Sequence, residues 1–205
     1  MTTTPDLLSR ALGEPAGTSG PVLRPLPAQV ADLLRALQAP PRLAAHLRAV
    51  HDVAHRLLDW TGRHCPGLAV DRDAVLFGAA THDIGKTLYP AELSGPGSAH
   101  EEAGRALLLS HGFSRDLARF AATHASWAAP GTPVEDLLVS TADKIWKGKR
   151  VPELEDLLVA RVAEATGRER WAEFMALDEL LTAIAAGADE RLAFQSSFPV
   201  RPVRR

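Results

Sequence analysis

At 205 residues the chain is long enough for one sizeable domain, and its apolar content of 46% is that of an ordinary globular protein. A formal net charge of -2 gives no reason to expect a nucleic-acid or anionic-membrane surface, so any substrate phosphate would be met locally. The single cysteine, Cys65, excludes an internal disulfide; with neither a signal pattern in MTTTPDLLSR nor an apolar run of roughly 20 residues, a cytoplasmic location without a membrane partner is expected.

Residues 1–26 are rich in Thr, Pro and Gly and read as a flexible arm, loose or lying on the surface. From Pro27 the pattern is helical almost throughout. AQVADLLRALQ is a short amphipathic helix closed by Pro40 and Pro41. PRLAAHLRAVHDVAHRLLDWTGRH follows, with Leu43, Leu47, Val50, Ala54 and Leu57 at helical spacing. DRDAVLFGAATHD has aspartates in its first turn, the favoured end of the helix dipole, and is apolar nearly all round, which predicts a central buried helix. SAHEEAGRALLLSHG starts beside Ser98 and stops at Gly112. SRDLARFAATHASW and PVEDLLVSTADKIWKGK continue the pattern, and two more helices are expected at 152–166 and 168–193. No alternating strand pattern, repeat or Gly-rich phosphate loop is present. The expected fold is all-α: one helical bundle core over 27–150, C-terminal helices packed on it over 151–195, and a tail over 196–205.

Chemistry concentrates in the histidines. His46 lies in the second helix, His82 and Asp83 end the central one, His100 opens the next, and His124 lies near the end of the one after. Asp143 sits inside VSTADKIW, where a carboxylate is expensive unless charge or hydrogen bonds compensate it. Each has a plainer reading: a lone helical histidine is commonly a surface or hydrogen-bonded core residue, and Asp143 has Lys144, Lys147 and Arg150 as ion-pair partners. Taken together, five helices each offer an imidazole or carboxylate, the way metal sites in helical bundles are built. Imidazole and carboxylate without cysteine favour a divalent Fe, Mn, Co, Ni or Zn ion.

HDIGK, with an upstream His and a downstream AD, resembles the HD-domain superfamily of metal-dependent phosphohydrolases. The order His46, His82-Asp83, His100, His124, Asp143 resembles its H…HD…H…H…D version, which holds two metal ions. The later motifs, HEEAG with His100 and Gly104, Thr123-His124, and Ala142-Asp143 followed by Arg150, are closest to the branch that splits symmetrical dinucleoside tetraphosphates. The resemblance covers about residues 42–150. The chain departs from that branch in ASWAAPG after His124 and in its C-terminal third, where substrate selection would be decided. In the family the first histidine is followed by apolar residues four, eight and eleven positions on; His46 meets this with Val50, Ala54 and Leu57, whereas His51 meets His55, Asp59 and Gly62. His46 is therefore the expected first ligand, and His51, His55, His64 and His111 are read as structural or surface residues.

The resemblance implies one ion on His46, His82, Asp83 and Asp143, a second on His100 and His124, and Asp83 bridging them. Adjacent residues reach one ion together only where a helix ends and the backbone turns. Lys86 and Arg150 are the phosphate-binding candidates, with exposed surface charge as their plainer reading. Core packing is the plainer reading of Trp127, Trp146 and Trp171, and Trp127, three residues past His124, is the first candidate among them to line the pocket. The implied function is hydrolysis of a phosphate ester or anhydride of a small nucleotide-like substrate by metal-activated water. The competing readings are a nucleotide-binding regulatory module without turnover and a di-iron oxygenase. The C-terminal helices have two readings, a lid over the pocket or a surface that pairs two copies as a homodimer.

Overall fold

The computed structural model describes residues 7–13 and 21–200, and every described element is helical. In chain order the α-helices are α1 Leu7–Leu12, α2 Ala28–Ala36, α3 Pro41–His64, α4 Arg72–Thr81, α5 Ala99–Ser110, α6 Arg115–Ala118, α7 Phe120–Thr123, α8 Val134–Ile145, α9 Pro152–Thr166, α10 Arg170–Ala185 and α11 Ala188–Ser196. Two 3-10 turns, Ile84–Thr87 and Pro90–Leu93, join α4 to α5. No described helix is long and apolar enough to cross a membrane.

The spine is α3, whose 24 residues extend about 36 Å. Pro41 occupies its first turn, where a missing N–H removes no helical bond. Its stripe Leu43, Leu47, Val50, Ala54 and Leu57 is wholly buried. Against it lies α4, started by Asp71, whose side chain accepts from Ala74 N at 2.9 Å. Seven of the ten α4 residues are buried, so this helix is the core its all-round apolar sequence anticipates. Helix α8 packs on both α3 and α4, α9 and α10 cover α8, and α5 packs on α7 and on the first 3-10 turn.

The buried apolar side chains form two clusters. One gathers Ala49 to Leu58 of α3 with α4, α8, α9 and α10; the other gathers Leu43 to Leu47 with α1, α2, α5 and the end of α4. His46 lies within the α3 stretch of the second cluster and meets Trp146 of the first edge-on. The site therefore sits where two cores meet.

Four segments differ from the sequence expectation. The helix expected through 114–127 ends at Thr123, interrupted at Arg119; Thr123 Oγ1 bonds back to Arg119 O and also donates to Asp136. The helix expected through 168–193 breaks at Ala186–Gly187 into α10 and α11. Buried Arg191 folds back across that break, donating to Ile184 O at 2.6 Å near the end of α10 and to Trp146 O at 2.7 Å just past the end of α8. In the arm, α1 lies on α3 with Ala11 and Leu12 buried, Leu23 and Leu26 are buried too, and Arg48 caps Leu23 O at 2.6 Å. Phe198 is buried, with its carbonyl held by Arg42 Nε at 2.8 Å, so the chain stays packed two residues past α11. The remaining arm and tail positions, 1–6, 14–20 and 201–205, lie outside the described residues.

His51, one turn beyond His46 on α3, is 3% exposed, and burial, with His55, Arg24 and Arg48 adding to it, lowers its pKa from 6.5 to about 3. The folded chain thus keeps His51 neutral while the unfolded chain takes up a proton near 6.5. Stability is undiminished above that pH and falls as pH drops toward 3. At pH 5 this single group costs about 2 kcal/mol. Urea unfolding at pH 7 and pH 5 should show wild type losing about that much more than His51→Gln.

Candidate metal centre

Helix α4 ends at Thr81, and His82 keeps helical angles (φ -50°, ψ -35°) while Asp83 turns out of them (φ -102°, ψ 11°) into the first 3-10 turn. This local unwinding brings the two adjacent side chains to one place. His46 comes from α3, Asp143 from α8, His100 from the start of α5, and His124 from the end of α7. All six are buried, none more than 8% exposed.

Their donor atoms fall into two groups, His46 with His82 and Asp143, and Asp83 with His100 and His124, the atoms of each lying within 4.8 Å of one another. Asp83 faces both groups. Its Oδ2 lies 3.1 Å from His46 Nε2 and 3.6 Å from His82 Nε2. Its Oδ1 lies 3.0 Å from His100 Nε2 and 3.7 Å from His124 Nε2. Asp143 Oδ1 closes the first group, 3.4 Å from His82 Nε2 and 3.8 Å from His46 Nε2.

A tight approach of α5 makes this possible. A Cβ on Gly85 would lie 1.9 Å from His100 O and 2.7 Å from Gly104 N. Glycine at 85, facing Gly104 one turn along from His100, lets α5 pack directly on the turn that carries Asp83.

The donors suit a divalent cation. His82 Nδ1 donates to Ala79 O at 3.1 Å, His124 Nδ1 lies 3.1 Å from Ala121 O, and His100 Nδ1 donates to Glu92 Oε2. Each bond fixes the tautomer that turns an Nε2 lone pair inward. Asp83 Oδ1 and His100 Nε2 are buried, face each other at 3.0 Å and have no partner beyond each other. His46 Nε2 and His82 Nε2 stand 3.2 Å apart. A cation shared by these atoms satisfies them all.

The ionisation states point the same way. Burial pushes the Asp83 carboxyl up, but His82 and the bonds to His100 and His46 outweigh it and hold Asp83 well below the ordinary range. Asp143 is likewise held low, burial being overcome by the neighbouring His82 and Lys144 side chains. Burial lowers His46, and lowers His124 to about 4. His100 moves up, because bonds to Asp83 and Glu92 exceed the effect of burial; a cation at Nε2 replaces that proton. Ionised carboxylates and neutral imidazoles are the forms a metal needs.

Lys86 reaches the site, its Nζ 2.6 Å from Asp83 Oδ2 and its side chain 17% exposed. Lys144 does the same at the other carboxylate, Nζ 2.6 Å from Asp143 Oδ2, 21% exposed. Arg150, the other phosphate-binding candidate, is held in ion pairs. Its guanidinium is bound by both oxygens of Glu155 at 2.9 and 2.7 Å and by Asp178 at 2.7 Å, which joins α9 to α10. Lys144 stands beside Asp143 as Lys86 stands beside Asp83. Of the tryptophans, Trp146 rather than Trp127 borders a ligand, its ring edge-on to His46 at 4.8 Å, and Trp171 is 71% exposed.

Of the two histidines competing for the first position, His46 has its Nε2 in the cluster, while His51 packs edge-on against His55 at 4.7 Å. His64 pairs with buried Glu173, and His111 is exposed. Glu92 had no local signal, standing eight residues before His100 in a loop rich in Gly and Pro. Lys144 had only its adjacency to Asp143, and neighbouring helical positions point about 100° apart.

A family model described as HD domain matches residues 43–146, just over half of the chain. No curated protein and no solved structure matches it. The matched segment opens beside His46 and closes beside Asp143, enclosing all six cluster residues. The chain belongs to the HD domain family, whose members include metal-dependent phosphohydrolases.

Proposed function

We propose that the chain is a phosphohydrolase holding two divalent ions and cleaving a phosphate ester or anhydride of a nucleotide-like substrate. The observation that carries this reading is the division of Asp83, Oδ2 toward His46 and His82 and Oδ1 toward His100 and His124. His46, His82 and Asp143 would hold one ion, His100 and His124 the other, and Asp83 would serve both. When bound, such a pair polarises a phosphoryl oxygen and brings the pKa of a water toward neutrality.

The chain's own groups do the rest. The charges of Asp83 and Asp143 are balanced by Lys86 and Lys144, so the ions' charge is left over to attract an anionic substrate. Each ammonium has three donors and gives one to its aspartate, leaving others for phosphoryl oxygens. Near-complete burial of the six ligands keeps bulk water from screening these interactions. Trp146 holds the His46 ring in place. The nucleotide part of the reading rests on the motif order, which makes symmetrical dinucleoside tetraphosphates the first substrates to try.

The test is phosphate or nucleotide release from p-nitrophenyl phosphate, mononucleotides and dinucleoside tetraphosphates, in air and under nitrogen. Equal turnover in both atmospheres is expected. Binding without product would leave a regulatory module, and dependence on oxygen would leave an oxygenase. Lys86→Met and Lys144→Met should each lower kcat/KM by about 10- to 100-fold, the loss of one charge-assisted hydrogen bond worth about 1.5–3 kcal/mol. Wild-type kinetics in both variants would remove the lysines from the substrate site.

A further inference from the structure

The two halves of the site are supported differently from behind. In the first, His82 is held by a backbone carbonyl and His46 Nδ1 has no partner. In the second, His124 leans on backbone carbonyls, but His100 Nδ1 meets a carboxylate, Glu92 Oε2. Among the described residues it is the one carboxylate hydrogen-bonded to the outer nitrogen of a cluster histidine. Glu92 is itself fixed by the first N–H groups of α5, accepting from Ala99 N and His100 N at 3.2 Å each.

Room for that carboxylate is provided by a glycine. A Cβ on Gly97 would lie 2.4 Å from Glu92 Oε1 and 2.5 Å from its carboxyl carbon. Any other residue at 97 displaces the Glu92 head from the α5 terminus. The Pro90–Leu93 turn that carries Glu92 has no buried residue, so its side chains can change without opening the core.

We infer that Glu92 is a positioning residue that sets the affinity of the second ion, at Asp83, His100 and His124, and that Gly97 keeps it in place. A negative acceptor behind His100 fixes the ring and makes its Nε2 a stronger donor, whereas neutral carbonyls behind His82 and His124 only orient those rings. The second ion is thus controlled from a surface turn that touches neither ion. The inference rests on the two-ion reading above.

The test is titration of the metal-free full chain with Co2+, followed by visible absorption and by equilibrium dialysis. Wild type should take two equivalents. Glu92→Gln should bind the first with wild-type affinity and the second about 10- to 100-fold more weakly. Gly97→Ala, which leaves the carboxylate in the chain but displaces it, should weaken the second ion in the same direction. Circular dichroism confirms that each variant is folded, and Gly97→Ala carries the test if Glu92→Gln is not. Two ions with unchanged affinities in both variants overturn the role of Glu92 and leave the two-ion reading standing. Equal weakening of both ions would also overturn it, as a general structural effect. A wild-type chain that takes only one ion overturns the inference and the two-ion reading together.

Discussion

Asp83→Ala should abolish turnover and reduce bound metal from two equivalents to at most one. Among the described residues no other carboxylate faces both donor groups, and the substitution removes both oxygens, including the 3.1 Å approach to His46 and the 3.0 Å approach to His100. It also leaves the Lys86 ammonium, 2.6 Å from that carboxylate, without its counter-charge. Losing the bridge forfeits several kcal/mol of charge stabilisation in the transition state, a fall in kcat on the order of 10³-fold. Metal analysis and kcat on the same preparation check this. Asp83→Asn, equal in size, separates the loss of charge from the loss of volume. Full metal content with turnover retained would mean that the chemistry lies elsewhere.

Gly85→Ala should have the largest effect on assembly of the site. The added Cβ meets backbone, His100 O at 1.9 Å and Gly104 N at 2.7 Å, and no flexible side chain is there to give way. The strain is relieved only by moving α5 off the turn, which carries His100 away from Asp83. Overpacking of this kind costs about 3 kcal/mol, or roughly 6–12 °C in Tm for a chain of this size. The second metal equivalent should be lost before the first, because His46, His82 and Asp143 do not ride on α5. Urea unfolding with metal analysis checks both, and wild-type stability with two ions bound would show that the contact is not tight.

What could be read from the sequence followed how local the signal was. The α3 stripe and the all-round apolar α4 are periodicities within one element, so their burial was legible. The preference for His46 over His51 came from its position relative to that stripe. The break between α10 and α11 was not legible, because the chain there stays rich in Ala and Leu. Arg191, just past the break, ties it to α8 by reaching Trp146 O, 45 positions away in sequence. Arg150 looked free because one of its partners, Asp178, lies 28 positions along the chain. The arm read as loose from its Pro and Gly, yet Leu12, Leu23 and Leu26 find an apolar surface that only the folded α3 and its neighbours create. Glu92 belongs to the same class, since its partner His100 is brought to it by the approach of α5, whereas the Lys144–Asp143 pair was already offered by adjacency.

The central claim is that one carboxylate, Asp83, joins two metal positions. Anomalous scattering from crystals grown with Mn2+ measures it directly. The account predicts two peaks about 3.5–4 Å apart. One should lie among His46, His82 and Asp143, the other beside His100 and His124, with Asp83 between them. A single peak, or two that do not share Asp83, would contradict it.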